Sequence, residues 1–424
     1  MDSLISTVLL ILSIGSVSFG SPPNKLAPMI VHHDKVTLSG FSSGGTFAQM
    51  LQFSYSRLFS GIAVFSHSYY RCGNGSGLVD HYDRQCTKLF NGTEFDLYNP
   101  DLVHKDIEEY VRLKKIDNPN NLKNKRLYVY TGLQNLLFTP RQSLSILSVY
   151  ERYIASPESI FTRVQDANLV LPTDNAIYGR PCTEFSESTF FIGKCGFSGV
   201  KEALNFLLFH NSSDSVKTNY YNRESLMEFD QTEFTRGLPA THYMDSIGYY
   251  YVPKRCGSVY QQYRRCYLHF YFHGCASGRE FANTTHIRYS GLLEVAEARN
   301  IIMIFPQAVT SKPENEIGCW DSFGISGEFY ATQDGPQIEA VKRMLDRILQ
   351  NYGSPYKGSS TSSSSSSGGY YPTKGNGNNN KPSAPTHSQH YHQYHQYSTA
   401  MKQKQNGNQR GSGSTSQSYG KRRG

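Results

Sequence analysis

A serine with the spacing of an enzymatic nucleophile stands near the start of the chain. The segment LSGFSSGGTFAQML holds Gly40, Ser42 and Gly44 in the order G-x-S-x-G, after the strand-like KVTLSG and before the helix-like TFAQMLQFSY. This context is typical of a nucleophile elbow, a sharp turn that exposes the serine Oγ. The alternative interpretation is a turn that is merely rich in glycine and serine. A serine hydroxyl also needs a base to take its proton, so the rest of the chain decides whether Ser42 is reactive.

A second candidate element lies far downstream of this serine. The apolar run CYLHFYF ends in His273, Gly274 and Cys275. In α/β-hydrolases an HG turn after a strand places a backbone N–H in the oxyanion hole, and it normally precedes the nucleophile. Here the turn follows Ser42. The inverted order therefore predicts a circularly permuted α/β-hydrolase, with the usual first strands moved to the end of the chain.

Strand-like and helix-like segments alternate from about Lys25 to Tyr352. The strand-like runs include GIAVFSH, RLYVYTG and NIIMIFPQA, and helical segments such as SGVKEALNFLLFH and QIEAVKRMLDRILQNY separate them. Such alternation is typical of an α/β fold with a largely parallel sheet and helices on both faces. In such sheets the site lies at the carboxyl ends of the strands, which is where Ser42 and Gly274 stand.

The two ends of the chain differ in composition from the middle. Residues 1–20 have the short apolar core and small residues of a signal peptide, although no Lys or Arg precedes the core. That core is shorter than the ~20 residues of a membrane span, and no later segment is long and apolar enough, so we expect no membrane span. Residues 21–353 are the predicted hydrolase domain. Residues 354–424 are rich in Ser, Gly, Asn, Tyr and His and are predicted to be a disordered tail.

Cysteines and glycosylation sequons both indicate secretion. The eight cysteines are an even number, which fits a disulfide set formed in an oxidising compartment. None of them has C-x-x-C spacing, so we expect no metal site. The N-x-S/T sequons are at Asn74, Asn91, Asn211 and Asn283. Together with the signal peptide, these features predict a secreted, extracellular glycoprotein.

The positive charge of the chain is concentrated in the tail. The net charge is +8, and residues 354–424 contain nine Lys or Arg and no Asp or Glu, which leaves +8 − 9 = −1 for the rest. A nucleic-acid-binding domain would carry basic residues among its folded elements, so we expect no nucleic-acid partner. The tail has the composition to bind acidic extracellular polymers. The alternative is an inert spacer.

The motifs of the middle segment resemble those of secreted poly(3-hydroxybutyrate) depolymerases with a permuted catalytic domain. The matching stretches, in family order, are SGFSSGG, LPTDN, PCTEFSESTFFIGKCGFSGVKEAL, FDQTEF, GYYYVPKRC, LHFYFHGC, IIMIFPQA, GCWDSFG and YATQDGPQIEAVKRMLDRI. They cover about Val31 to Leu349. The resemblance implies a serine esterase whose substrate is a polyester or a small ester. We expect no cofactor.

Site residues follow from the resemblance position by position. It implies that Ser42 is the nucleophile, that the N–H groups of Ser43 and Cys275 form the oxyanion hole, and that Trp320 lies beside the substrate cleft. It also implies a disulfide framework. The implied pairs are Cys72–Cys86, Cys182–Cys195, Cys256–Cys266 and Cys275–Cys319.

Two positions depart from the family pattern. The acid of the family stands in a motif of the type SGxxDxxV, which here reads TGLQNLLF and puts Asn135 at the acid position. The base stands in HxFPTD, which here reads LVLPTD and puts Leu169 at the base position. Asp to Asn in a triad costs about 10⁴ in rate, and loss of the base costs about 10⁶. Leucine neither accepts nor relays a proton, so the resemblance implies an elbow without its base.

Other residues are candidates for a substitute base. His67, in FSHSYY, follows the strand after the elbow helix, and its alternative interpretation is a partly exposed polar residue on a loop. Asp166 and Asp174 flank the lost base position. The remaining histidines suit the role less well. His32 and His33 precede the elbow strand, and His273 has a structural role in the HG turn.

The sequence therefore supports two functional hypotheses. The first is a catalytically dead or severely weakened depolymerase-like protein, or pseudoenzyme, with a binding or extracellular-matrix role. The second is an active secreted serine carboxylic-ester hydrolase with a rearranged base such as His67. The residues at positions 135 and 169 favour the first hypothesis.

Overall fold

A computed structural model describes most of the middle of the chain. The described residues are 23–73, 75, 86–87, 100–135, 137–175, 177–209, 220–237, 239–257, 265–312 and 315–350. The predicted signal peptide (1–20), the predicted tail (354–424) and the sequons at Asn74, Asn91 and Asn211 lie outside them.

Within the described residues, eleven strands form two sheets. The strands are β1 Val31–Phe41, β2 Phe59–Phe65, β3 Arg126–Gly132, β4 Ile160–Gln165, β5 Leu171–Thr173, β6 Arg180–Pro181, β7 Ile192–Lys194, β8 Leu226–Asp230, β9 Ile247–Tyr251, β10 Cys266–Phe272 and β11 Ile301–Phe305. The main sheet has the order β4-β3-β2-β1-β10-β11-β9-β8, and the small sheet has the order β5-β7-β6.

The main sheet is parallel from β4 to β11, and β9 and β8 continue it in antiparallel pairing. At its centre β1 pairs with β10, with Val36 opposite Leu268 and Gly40 opposite Phe272. The strand that leads to Ser42 thus lies beside a strand more than 200 residues later in the chain. The largely parallel sheet and the pairing of an early strand with a late one confirm the predicted permuted α/β fold.

Helices cover both faces of this sheet, as predicted. They are α1 Ser43–Ser54, α2 Pro100–Arg112, α3 Pro140–Leu144, α4 Ile146–Tyr150, α5 Gly199–Phe209, α6 Pro239–His242, α7 Arg279–Ala282, α8 Thr285–Tyr289, α9 Leu292–Arg299 and α10 Pro336–Leu349. Short 3-10 helices lie at Pro119–Leu122, Pro157–Ser159, Glu187–Thr189, Arg223–Ser225 and Lys254–Cys256. None of the described helices is long and apolar enough to cross a membrane.

The position of α1 explains its composition. A Cβ on Gly45 in α1 would lie 3.0 Å from Val64 of β2, whereas a Cβ on Gly199 in α5 would lie 3.2 Å from the Phe65 ring. Because neighbouring residues of a strand point to opposite faces, α1 and α5 pack on opposite sides of the sheet. All twelve residues of α1 are buried. A helix that is covered all round needs no polar stripe, and this one has none of the acidic or basic end residues of a surface helix.

Four disulfides connect the described cysteines in the pairs that the resemblance implied. They are Cys72–Cys86, Cys182–Cys195, Cys256–Cys266 and Cys275–Cys319, with Cα–Cα distances of 5.4, 4.9, 6.1 and 4.2 Å. All eight cysteines are paired. The first three bonds close short loops. The fourth joins the turn after β10 to the loop before α10, so it constrains the region next to Ser42.

Candidate active site

Ser42 occupies a strained turn between β1 and α1. Its φ is 52° and its ψ is −126°, a conformation that costs a non-glycine residue about 1–3 kcal/mol. The flanking glycines permit the turn, since a Cβ on Gly40 would lie 2.0 Å from the carbonyl oxygen of Gly44. The N–H of Ser42 donates to the carbonyl of Phe65 at 2.9 Å, which fixes the turn to the end of β2. The structure thus contains the strand–turn–helix geometry that the G-x-S-x-G spacing predicted.

The turn after β10 lies directly against this elbow. A Cβ on Gly274 would lie 3.0 Å from Cβ of Ser42, and a Cβ on Gly44 would lie 2.2 Å from the carbonyl oxygen of Phe272. Only glycine at both positions allows so close an approach. The next N–H along the turn is that of Cys275. Neither this N–H nor that of Ser43 donates to another group in the described part of the chain.

His273 holds the turn and has both ring nitrogens engaged. The N–H of Ala308 donates to Nε2 at 3.0 Å, so Nδ1 carries the proton and donates to the carbonyl of Gly274 at 2.7 Å. Complete burial lowers the pKa of His273 to about 4. A neutral imidazole with both nitrogens in use does not accept the proton of Ser42, so His273 positions the turn.

Trp320 lies beneath the elbow. Its side chain is fully buried, stacks on Phe47 of α1 with ring centroids 4.2 Å apart, and meets the edge of Phe272. Its backbone N–H donates to Oγ of Ser43 at 3.3 Å, and its indole Nε1 has no hydrogen-bond partner among the described residues. The indole therefore supports α1 from inside the core. The ring of Phe47 covers one face of the indole, and the position of Trp320 beside a substrate cleft stays a prediction.

Asn135, at the acid position, is buried, and only the oxygen of its side-chain amide makes hydrogen bonds to described residues. Its Oδ1 accepts from the N–H groups of Leu137 and Phe138 at 3.0 and 2.9 Å. Its Nδ2 is buried and has no partner in the part of the chain that the structure describes. The side chain is only 4 % exposed. A buried amide donor without a partner costs free energy, so this position is a polar site within an otherwise apolar region.

Leu169, at the base position, lies on the neighbouring loop. The N–H of Gln134 donates to the carbonyl of Ala167 at 2.8 Å, and a Cβ on Gly132 would lie 2.3 Å from the same oxygen. The two loops therefore touch at the carboxyl ends of β3 and β4, and they carry the positions that the resemblance assigned to the acid and the base. Leu169 is 2 % exposed and brings only methyl groups to this place.

Comparisons with known proteins agree with this geometry. The chain is 25% identical over 337 residues to a poly(3-hydroxybutyrate) depolymerase of Delftia acidovorans, covering 77% of this chain and 62% of that protein. It is 25% identical over 333 residues to a polyhydroxybutyrate depolymerase of Talaromyces funiculosus, covering 76% of this chain and 91% of that protein. The chain is depolymerase-like. No family model matches it.

Solved depolymerase structures share the fold of the depolymerase-like domain. One is a serine-to-alanine variant of a PHB depolymerase complexed with an R3HB trimer, with a TM-score of 0.65, and another is a PHB depolymerase from Penicillium funiculosum, with a TM-score of 0.64. Each is 22% identical to the chain, and each alignment covers 77% of this chain and 99% of the other. The predicted resemblance to depolymerases is thus confirmed by sequence similarity to the two relatives, and the predicted fold is confirmed by the solved structures.

His67 is fully buried in the depolymerase-like domain, so the interpretation of His67 as a partly exposed residue was wrong, although it does lie on a loop. Its Nδ1 lies 2.8 Å from Oγ1 of Thr46 in α1 and 3.2 Å from the carbonyl of Ser68. The ring of Phe138 covers it at a centroid distance of 4.4 Å. Burial lowers the pKa of His67 to about 4, so its protonated form is strongly disfavoured.

The other candidate bases have partners of their own. Asp166 accepts from Nε2 of Gln134 at 2.6 Å, and Asp174 pairs with Lys201 at 2.7 Å. His32 stands near the start of β1, ten positions before Ser42, which at ~3.3 Å per residue is the far end of the strand. That position agrees with the prediction.

Two buried histidines in and beside β10 were not singled out from the sequence. His269 lies between the hydroxyls of Thr37 and Ser39 at 2.8 and 2.7 Å, and burial lowers its pKa to about 3. His286 lies 2.7 Å from the hydroxyl of Tyr271, and burial lowers its pKa to about 4. The polar residues within the run LHFYFH were the available signal. Across the described residues, no group of three His, Cys, Asp or Glu side chains forms a metal-binding cluster.

Proposed function

We propose that the chain is a secreted glycoprotein whose depolymerase-like domain binds its ligand without hydrolysing it, in an extracellular matrix or a secreted coating. The observation that carries the proposal is the pair of residues at the acid and base positions. Asn135 offers an amide where a carboxylate would be needed, and Leu169 offers methyl groups where an imidazole would be needed. The turn of Gly274 lies against the elbow of Ser42, which supports the proposal that the domain keeps a recognition surface for an ester or polyester.

The missing base dominates the expected rate. Without a proton acceptor, Ser42 attacks only as a neutral hydroxyl, and losses of triad residues of this kind cost about 10⁴–10⁶ in rate without being additive. We expect ester turnover at least about 10³-fold below that of an intact serine esterase. The N–H groups of Ser43 and Cys275 would stabilise the negative oxygen of a tetrahedral intermediate. Without a base, Ser42 does not form that intermediate at a useful rate.

The second candidate function is an active carboxylic-ester hydrolase that uses His67. Its contact with Thr46, one helical turn from Ser42, favours this candidate. A pKa of about 4 weighs against it, because an imidazole with that pKa is a weak base and its Nδ1 is already engaged. Phe138 also closes one face of the ring.

The test is hydrolysis of p-nitrophenyl butyrate by the purified protein, with Ser42→Ala as the control for background reaction. We expect the two proteins to be indistinguishable. A fluorophosphonate probe checks the same point without turnover, since only a serine with a base releases fluoride and forms the phosphorus–oxygen bond quickly. Ser42-dependent turnover of about 1–10³ s⁻¹ would refute the proposal. If that activity also disappears in His67→Ala, the second candidate is correct.

Secretion and glycosylation are supported by the covalent frame and by one exposed sequon. Four disulfides are typical of proteins that fold in oxidising compartments. Asn283 is exposed, and the hydroxyl of Tyr249 donates to its Oδ1 at 3.3 Å. Expression through a secretory pathway and digestion with peptide N-glycosidase should reduce the apparent mass, and Asn283→Gln should remove part of that change. An unchanged mass after digestion would contradict glycosylation.

The basic tail is the proposed contact with acidic extracellular polymers. Its nine positive charges and no negative charges predict weak binding that decreases with salt, because the Debye length is ~8 Å at 0.15 M. Heparin chromatography of the full chain at two salt concentrations tests this, with a synthetic peptide of residues 354–424 as competitor. Retention that the peptide does not reduce would mean that the tail is a spacer.

A further inference from the structure

The elbow assembles hydrogen-bond donors without a negative charge to receive them. Oγ of Ser42 makes no hydrogen bond to a described residue, and its side chain is 6 % exposed. The N–H groups of Ser43 and Cys275 are likewise unused within the described residues. All three belong to the elbow and to the turn that touches it through Gly274. Such a group of donors is complementary to an oxygen that carries negative charge.

The helix and its surroundings strengthen this preference. α1 begins at Ser43, has twelve residues, and has no acidic residue in its first turn. The positive end of its dipole therefore points at the elbow without neutralisation. Asn135 is neutral at the position where the resemblance implied a carboxylate. The side chain of Asn135 is only 4 % exposed, and its Nδ2 has no hydrogen-bond partner among the described residues. This Nδ2 adds a hydrogen-bond donor, and no acceptor, to this end of the sheet.

A hydrolase forms the negative oxygen itself, by transferring the serine proton to a base. Here the base position holds Leu169, so an ester in the elbow stays neutral. A carboxylate, in contrast, is already negatively charged in solution before it binds. We propose that the elbow of Ser42, Ser43 and Cys275 is a binding site for small aliphatic carboxylates, the class to which the free acid of a short hydroxy acid belongs, and that it prefers them to the corresponding esters and amides. This inference rests on the proposed loss of hydrolysis.

The position of Asn135 provides a sharp variant. Ser42 follows β1 and Asn135 follows β3, two strands away in the sheet, which is about 10 Å at ~4.8 Å per strand. Asn135→Asp restores a negative charge there while keeping an oxygen that accepts from Leu137 and Phe138. At an effective dielectric constant of about 20, this charge should weaken binding of a carboxylate about tenfold and leave a neutral ligand unaffected.

The experiment titrates the full-length protein with butyrate, with 3-hydroxybutyrate and with the neutral isostere butyramide, followed by calorimetry or by NMR shifts. We expect both carboxylates to bind at least about tenfold more tightly than butyramide. Asn135→Asp should weaken butyrate about tenfold, and Ser42→Ala, which removes one donor, should weaken it several-fold. The matched control is Asn120→Asp, which adds the same charge at an exposed residue with no role in the elbow and should change the affinity less than twofold.

Three results would overturn the inference: no saturable binding of either carboxylate, equal affinity for butyrate and butyramide, or equal weakening by Asn135→Asp and Asn120→Asp. Thermal melts of each variant show whether a loss of binding reflects unfolding, and a variant that fails to fold leaves the butyrate-to-butyramide ratio of the unmodified protein as the deciding measurement. Hydrolysis of p-nitrophenyl butyrate is a separate readout. Ser42-dependent turnover refutes the proposed function, whereas absent turnover with unselective binding refutes only the carboxylate site.

Discussion

Asn135 and Leu169 lie on two loops joined by a hydrogen bond of 2.8 Å, from the N–H of Gln134 to the carbonyl of Ala167. Each residue is within two positions of that bond, so the backbone that would bring an acid to a base is intact. Under the proposed function, the two side chains at these positions are therefore the only part of this arrangement that departs from the resemblance. A departure of this kind is reversible by substitution.

We predict that Asn135→Asp with Leu169→His restores esterase activity and that neither change alone does so. Leu169→His supplies an imidazole, but the Oδ1 of Asn135 is already used and its Nδ2 donates, so the ring would adopt the wrong tautomer. The double variant should hydrolyse p-nitrophenyl butyrate at least about 10²-fold faster than either single variant.

The control for this restoration is a third change, Ser42→Ala, in the double variant. It should return the rate to background. If the gain in rate of the double variant equalled the combined gains of the two single variants, positions 135 and 169 would not act together.

The stability of the domain should decrease sharply in mild acid. His67, His269, His273 and His286 are fully buried and neutral, with pKa values lowered by burial to about 4, 3, 4 and 4. The unfolded chain binds their protons at about pH 6.5, so their contribution to stability is complete above that value and is lost as the pH falls toward 4. Each contributes a slope of up to about 1.4 kcal/mol per pH unit.

Urea unfolding between pH 7 and pH 4 measures this slope. Replacing His269 with Gln, which keeps polar contacts to Thr37 and Ser39, should reduce the slope by up to about 1.4 kcal/mol per pH unit. The matched control is Asn120→Gln, a change at an exposed residue without a titratable group, which should leave the slope unchanged. An unaltered slope in His269→Gln would mean that this histidine is protonated in the folded protein.

Trp320 should behave as a shielded fluorophore. It is the only tryptophan in the sequence, and its side chain is fully buried against Phe47 and Phe272. We expect a short-wavelength emission maximum and weak quenching by acrylamide in the folded protein, with both reversed on unfolding. Strong quenching in the folded state would place the indole at an open cleft.

Removing the Cys275–Cys319 bond should affect both stability and binding. In the chain-entropy model a sequence separation of 44 corresponds to about 4 kcal/mol of stabilisation, and the separation of 13 in Cys182–Cys195 corresponds to about 3 kcal/mol. Replacing either pair with serine should therefore lower stability by similar amounts. Only loss of Cys275–Cys319 should also weaken butyrate, because only that bond holds the turn beside Ser42. If removal of either disulfide weakened butyrate binding equally, the Cys275–Cys319 bond would have no specific role in positioning the elbow.

The sequence predicted those features that depend on backbone pattern. The spacing around Ser42, the HG turn and its late position were enough to predict the elbow, its neighbour and the permuted order of strands. The disulfide pairs followed from the resemblance. These features depend on glycines and cysteines, whose backbone and covalent constraints are nearly independent of the surrounding side chains.

Features that depend on packing were not predictable in the same way. Trp320 is buried because Phe47, from a distant helix, stacks on it, and His67 is buried because Phe138 covers its ring. Neither partner is near in sequence, and a polar or amphipathic residue on a loop is more often exposed. The missing partner of the Asn135 Nδ2 depends on how this side chain is oriented. The identity of the residue at a motif position does not specify that orientation.

The pairing of β1 with β10 has a consequence for the order of synthesis. Val36 lies opposite Leu268, so the strand that leads to Ser42 leaves the ribosome long before its central neighbour. At roughly 5–20 residues per second, the nascent chain waits on the order of ten to fifty seconds with one edge of that strand unprotected. During that interval the backbone edge of β1 is open to pairing with other chains. Folding of this protein in a cell should therefore depend on chaperones that cover β1 until the last third of the domain has been made.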